Sequence, residues 1–167
     1  MATLRRSALV SVLFTLFGGP GIVLAALPFW ITRFRIPAGE PAWQRAVAWL
    51  VIAAGLAPLL ESIVRFVVVG RGTLVPSVPT ERLVVSGLYR WVRNPMYAGN
   101  LLTLAGETLL SRSWSLALYT ALVALGFDLF IRRYEEPTLT RRHPADYRRY
   151  RAQVPRWLPR RRPFRAE

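Results

Sequence analysis

Two polar runs sit against apolar helical sequence in this chain, and their residue types could hold a small charged ligand. The first extends from Gly87 to Gly99 and carries Tyr89, Arg93, Asn94, Pro95, Met96 and Tyr97. The second begins at Arg132-Arg133-Tyr134-Glu135-Glu136-Pro137 and continues through Asp146, Tyr147 and Tyr150 to Val154-Pro155. Polar sequence this dense beside a bilayer is costly unless something uses it. In the first run, Tyr89 and Tyr97 supply aromatic faces and hydroxyls. Gly87 and Gly99 let backbone approach a ligand. Pro95 removes one helical hydrogen bond and frees a carbonyl, which beside aromatic faces suits a polar or cationic ligand. The competing reading is a loop punctuated by proline, with interfacial aromatics.

In the second run, Glu135 and Glu136 form an adjacent acidic pair at a helix C-terminus, where negative charge is unfavourable. A cationic ligand would relieve it; a solvated helix end among arginines is the alternative. Asp128, Arg132 and Glu136 are spaced by four and share a helix face, which makes Arg132 an intrahelical partner and leaves Glu135 the freer carboxylate. Glu107 lies within an apolar helix without a local partner. It is a functional candidate, or else an outer-interface residue near Arg112. Glu61 has Arg65 one turn on and reads as a structural pair. His143, before Pro144, reads as exposed.

These residues need membrane helices to position them. Of the 167 residues 53% are hydrophobic, high for a soluble domain, and the length suits one domain. Four apolar segments are legible: Ser7 to Ile31, Trp43 to Val69, Tyr97 to Leu110 and Trp114 to Ile131. A span needs about 20 residues, so the third is short; it could start near Val84 and break at Pro95. The Ser111-Arg112-Ser113 link predicts an antiparallel hairpin of segments three and four. Gly18-Gly19-Pro20-Gly21 predicts a kink or close packing. The first segment lacks the cleavage pattern of a signal peptide. The expected fold is all-α and polytopic, with about four transmembrane helices and a C-terminal interfacial helix. Residues 1–72 form an N-terminal hairpin and 73–167 a ligand-binding region with a basic tail. In that tail Tyr147, Tyr150, Val154 and Trp157 recur at helical spacing, a stripe suited to lying aromatic-side down in the interface, with Arg160 to Arg162 on headgroups.

All 23 basic residues are Arg against nine acids, a net charge of +14. The arginines flank apolar spans and no zinc-finger or RNA-binding signature occurs, which favours anionic lipid headgroups over nucleic acid as partners. The absence of Cys excludes disulfides, thiolate metal sites and a cysteine nucleophile, and one His cannot build a multi-histidine site; no metal is expected. With both termini in the cytoplasm, nineteen arginines fall inside and four outside. That orientation puts both polar runs on one face, where they can build one site, in what reads as a bacterial inner membrane. Nothing in the sequence bears on oligomeric state.

From Leu74 to Pro159 the chain resembles the membrane methyltransferase superfamily of isoprenylcysteine carboxyl methyltransferases and phosphatidylethanolamine N-methyltransferases. The carrying elements are Gly87-x-Tyr89, Arg93-Asn94-Pro95-x-Tyr97-x-Gly99, Glu135-Glu136, Asp146-Tyr147-x-x-Tyr150 and Val154-Pro155. The resemblance implies S-adenosylmethionine as cofactor, wrapped by the C-terminal helices and loops at the cytoplasmic face, and a lipophilic acceptor arriving from the lipid. It implies cofactor contacts from Glu81, Arg82, Leu83, Val84, Tyr89, Asn94, Pro95, Met96, Tyr97, Gly99 and Glu135. Asn94 stands where the carboxyl methyltransferases mostly have His, and His143-Pro144 replaces a Phe-Gly. A substrate-contacting Arg of that branch aligns near Ile131, with Arg132 and Arg133 adjacent.

Methyl transfer is an in-line displacement in which the protein mainly aligns nucleophile, carbon and sulfur. A carboxylate acceptor needs no base. An amine must be neutral, so Glu136 or Glu107 could take its proton, with Arg132 beside them as the third candidate catalytic residue. The acidic pair suits the cofactor's cationic part, arginines its carboxylate, and aromatic rings its adenine. No glycine-rich dinucleotide fingerprint is present. Two other readings compete: a non-enzymatic membrane protein binding anionic lipid or a partner through its tail, and a nicotinamide-dependent membrane reductase, whose phosphates the acidic pair would repel.

Overall fold

In a computed structural model the described residues are 19–39, 41–68 and 83–165, and they are helical with no strand among them. The parts of the expected first segment before Gly19, the boundary at residue 72, Glu81 and Arg82 lie outside that set. Five helices carry the architecture: α1 (Gly19–Thr32), α2 (Ala42–Val68), α3 (Pro95–Ser111), α4 (Trp114–Arg142) and α5 (Pro144–Gln153). A 3₁₀ turn at Gly87–Arg90 precedes α3.

Two stretches, Ala42–Arg65 within α2 and all of α4, are long and apolar enough to cross a membrane. That is fewer than the four expected: α3 has 17 residues and the described part of α1 is shorter still. On α4, Leu118, Leu122, Leu125 and Leu129 are exposed. An apolar helix uncovered along its length needs lipid, because water would meet a contiguous hydrophobic face.

Small residues join α2 to α3. A Cβ on Gly55 would collide with Thr103 and the Gly99 carbonyl, and one on Gly99 with the Gly55 carbonyl and Leu59. Gly106 lies as tightly against Ile52 and Ala48. Such close backbone approach is how helices pack where lipid removes the hydrophobic drive. Gly99 is therefore spent on helix packing, where the sequence suggested approach to a ligand. At the hairpin tip, Arg112 takes a left-handed φ of 49° and Ser113 caps α4 by accepting from the Leu116 N–H at 3.2 Å. Thr108 and Thr120 hydroxyls, 3.2 Å apart, tie the two arms.

Pro95 does not break a helix. It starts one, occupying the first turn of α3 where no N–H is required. Prolines inside α1 and α4 are accommodated differently. Pro28 and Pro137 each follow a π turn, Ile22–Ala26 and Ile131–Glu135. The N–H of Leu27 bonds to the Ile22 carbonyl and that of Glu136 to the Ile131 carbonyl, five residues back. The wider turn lets each helix run on through a residue that would otherwise interrupt it. The described part of the glycine-rich stretch, residues 19–21, thus gives a helix that continues into a π turn.

The aromatic stripe of the tail also differs from expectation. Tyr147, Tyr150, Val154 and Phe164 form a buried cluster, with Leu83, Val85 and Leu139 packed on it. The stripe faces protein, while Arg148, Arg149 and Arg151 are exposed. A stripe at helical spacing specifies an apolar partner without saying whether that partner is lipid or protein; here the segment before the 3₁₀ turn supplies it. Trp157 is not on α5, which ends at Gln153.

Candidate functional site

The site is built where α3 starts, α4 ends and the tail returns. Ser86 is extended and Gly87 has φ +58°; a Cβ at Gly87 would strike the Glu61 carboxylate. Glu61 itself pairs with Arg65 at 2.8 Å, as their spacing suggested. The 3₁₀ turn then buries Tyr89, whose side chain bonds Ser62 of α2 and whose carbonyl accepts from the Tyr150 hydroxyl at 2.7 Å. Burial holds the Tyr89 hydroxyl well above the ordinary tyrosine range, and the negative charge of Glu135 nearby adds to it.

The tail from Val154 to Phe164 lies along this loop as a strap. The Arg93 N–H donates to the Pro155 carbonyl at 2.9 Å, Arg160 N–H to Trp91 at 2.9 Å and Phe164 N–H to Arg90 at 2.8 Å. The carbonyl four residues before Pro95, that of Trp91, lies outside α3. The strap satisfies it, where the sequence had suggested a ligand. Asn94 is buried and its Nδ2 donates to the Arg156 carbonyl at 3.2 Å. Arg90 Nε closes the strap onto the Phe164 carbonyl at 2.7 Å.

Glu136 is the hub. Only 4% exposed, it accepts from Arg93 Nη1 at 2.9 Å and from Arg156 through Nε and Nη2, both at 2.9 Å. An isolated buried carboxylate would cost tens of kcal/mol by Born solvation. Two guanidiniums, one bidentate, supply the charge-assisted bonds that make burial tolerable. The Glu136 carboxylate in turn pushes the Arg156 guanidinium above its ordinary range. Arg93 also bonds Tyr147, whose hydroxyl burial raises. One turn-pair earlier on α4, Asp128 accepts from Arg132 Nε at 2.6 Å and from Trp157 Nε1 at 3.2 Å, with Arg156 Nη1 3.9 Å away. Arg132 is thus committed to Asp128, not to Glu136.

Glu135 is treated differently from its neighbour. The Tyr97 hydroxyl donates to its Oε2 at 2.9 Å, and the Tyr97 ring packs against Phe127 with centroids 4.8 Å apart. Among the described residues no guanidinium pairs with Glu135. The site therefore presents one saturated carboxylate and, beside it, one carboxylate with a neutral partner and aromatic surface nearby.

The structure brings together Tyr89, Asn94, Pro95, Tyr97, Glu135 and Glu136. Val84 is buried and Leu83 packs on the tyrosine cluster, both leading into the 3₁₀ turn. Met96 is half-buried, and its carbonyl accepts from Asn100 Nδ2 at 3.0 Å. Glu107 stands apart: ten residues beyond Tyr97 on α3, it is ~15 Å along the helix. Its Oε2 is buried with no partner among the described residues. Arg156 was missed by the sequence reading. Its signal was present in the proline-bracketed run from Pro155 to Pro159, which cannot continue α5 and must pass as an extended strap. No group of three or more metal-ligating side chains occurs among the described residues.

No curated protein and no solved structure gives a significant match to the chain. A family model does match, that of the phospholipid methyltransferases, over residues 43–145. The match spans more than half of the chain and takes in α2, α3, the Glu135–Glu136 pair and the loop that begins α3. The chain belongs to the phospholipid methyltransferase family.

Proposed function

We propose that the protein is an integral membrane methyltransferase using S-adenosylmethionine to methylate a lipophilic acceptor, an amine or a carboxylate, at the membrane face carrying Glu135 and Glu136. The observation that carries this reading is the family match, which covers Tyr89, Arg93 to Tyr97, Glu135 and Glu136 and ends at residue 145, before the strap that carries Arg156. The donor set fits the cofactor: Glu135, bonded by a neutral tyrosine and left without a guanidinium among the described residues, suits a sulfonium or ammonium group. When bound, the cofactor supplies an electrophilic methyl and its own leaving group.

The chain's residues then have separable tasks. Glu135 attracts the cationic part and Tyr97 fixes its carboxylate. Asn94 and Pro95 set the start of α3. Glu136, Arg93 and Arg156 act as positioning residues, holding the strap over the loop. A proton taken up by Glu136 would break its charge-assisted bonds to Arg93 and Arg156, and Glu107 is ~15 Å away; neither fits the role of base. The arginine asymmetry supports a cytoplasmic location for this face and both termini, with the acceptor entering laterally between helices.

Calorimetry on detergent-purified protein tests the reading. S-adenosylmethionine should bind, with NADPH as the non-binding control. E135Q should weaken binding at least tenfold while leaving the thermal midpoint nearly unchanged. Binding that is absent in folded, lipid-supplemented protein, or indifferent to E135Q, would overturn the assignment.

A further inference from the structure

At the other end of the molecule the hairpin tip of α3 and α4 meets the end of α1 and the start of α2. From Trp114 to Glu135 along α4 is ~30 Å, about the thickness of a bilayer's hydrocarbon core. This end is marked by exposed tryptophans: Trp30, Trp43 and Trp114 are 70%, 65% and 90% exposed. Tryptophans in such positions define a membrane–water interface.

Two clefts open there. One, of about 430 Å³, is lined by Trp30, Thr32, Arg33, Arg35, Ser111 and Ser113. The other, of about 490 Å³, is lined mainly by apolar groups including Trp43, Val47, Leu109 and Ala117. Ser113 lines both, so the two are neighbours. The backbone is built to deliver the arginines. Arg33 and Phe34 take left-handed φ values of 52° and 50°, which turns the chain back after α1 so that Arg33 and Arg35 face one cleft. The Arg33 guanidinium is held over the Phe29 and Trp30 rings, 5.4 and 5.1 Å from their centroids. Among the described residues no carboxylate pairs with Arg33 or Arg35.

A polar cleft with two guanidiniums, adjacent to an apolar one at the depth of an interface, is complementary to an anionic amphiphile. We infer that this end is a binding site for an anionic phospholipid of the leaflet opposite the Glu135–Glu136 cluster. The phosphate lies on Arg33 and Arg35, the hydroxyls of Ser111 and Ser113 are within the same cleft, and an acyl chain runs along Val47, Leu109 and Ala117. The site is independent of methyl transfer and of the basic tail.

Native mass spectrometry of the full chain released from detergent tests this, with phosphatidylglycerol, phosphatidylcholine and inorganic phosphate as probes. Phosphatidylglycerol should be retained in preference to phosphatidylcholine by about twenty-five-fold, the effect of two arginines at about fivefold each. R33Q/R35Q should abolish the preference, while R161Q/R162Q, at exposed tail positions, should keep it. R35Q alone, at an exposed non-helical position, should reduce it about fivefold without disturbing the helices. Equal retention of the two lipids, or a preference that survives R35Q and R33Q/R35Q, would overturn the inference. Displacement of phosphatidylglycerol by millimolar inorganic phosphate would also overturn it, by marking a site for free anions.

Discussion

Glu135 and Glu136 are adjacent in sequence and opposite in circumstance. Glu136 is a saturated structural ion; among the described residues Glu135 has the Tyr97 hydroxyl as its hydrogen-bond partner. Their substitutions should separate accordingly. E136Q leaves Arg93 and Arg156 facing a neutral amide and should lower stability by about 3–5 kcal/mol, read as a fall in the thermal midpoint in detergent. R156A should cost a similar amount, and the double variant E136Q/R156A should show the two losses to be non-additive. Y97F removes one hydrogen bond to Glu135. It should cost about 0.5–1.5 kcal/mol of cofactor affinity, about two- to thirteenfold, measured by the same calorimetry as E135Q. The pair itself was legible in the sequence, because two acids at the end of an apolar helix demand an explanation. So was Glu135 as the freer of the two, but the partner of Glu136 was not. It is Arg156, twenty residues away, and helical spacing had offered Arg132 in its place.

Among the elements, the α2–α3 interface is the most exacting. Gly55, Gly99 and Gly106 all sit where a Cβ would meet backbone of the partner helix. G99V should therefore force the helices apart and cost about 1–3 kcal/mol or more, as a lowered thermal midpoint, with cofactor binding lost in step because α3 carries Tyr97. G126V is the internal control: nothing lies within 4 Å of a Cβ there, so its midpoint should stay within about 0.5 kcal/mol of the parent. Apolar periodicity made α2, α3 and α4 readable, and the Ser-Arg-Ser link announced the hairpin. Pro95 was visible too, but a proline that starts a helix and one that breaks it look alike until the preceding turn is known. The π turns before Pro28 and Pro137 have no local signature beyond the proline itself, since the helix could equally have kinked.

At the scale of the whole molecule, charge and aromatic burial fix how the protein responds to pH. Burial raises Tyr89, Tyr147 and Tyr150 above the ordinary tyrosine value of 10.0, with the charges of Glu135, Glu136 and Tyr147 respectively adding to it. A group that holds its proton more tightly when folded contributes stability that is complete below the unfolded value and is lost as pH rises through the folded one. Unfolding should therefore set in above pH ~10, with tyrosinate absorbance, read in a Y134F background that removes the exposed ring, appearing together with loss of helix. Tyrosinate that appears with the helices intact would show these rings to be open to water. The sequence displayed the aromatic stripe but assigned it to lipid, because spacing alone does not identify what a stripe packs on.

The strap also sets an order of events during synthesis. Glu136 leaves the ribosome twenty residues before Arg156, the partner that grips both its oxygens. At roughly 5–20 residues per second that interval is about one to four seconds. Arg93 is already made when it begins, and Arg151, whose Nε lies 3.8 Å from the same carboxylate, is added only near its end. Membrane insertion of α4 and closure of the site are thus separate steps in time, and the newborn helix must hold a charge near the bilayer surface before its main counter-ion exists.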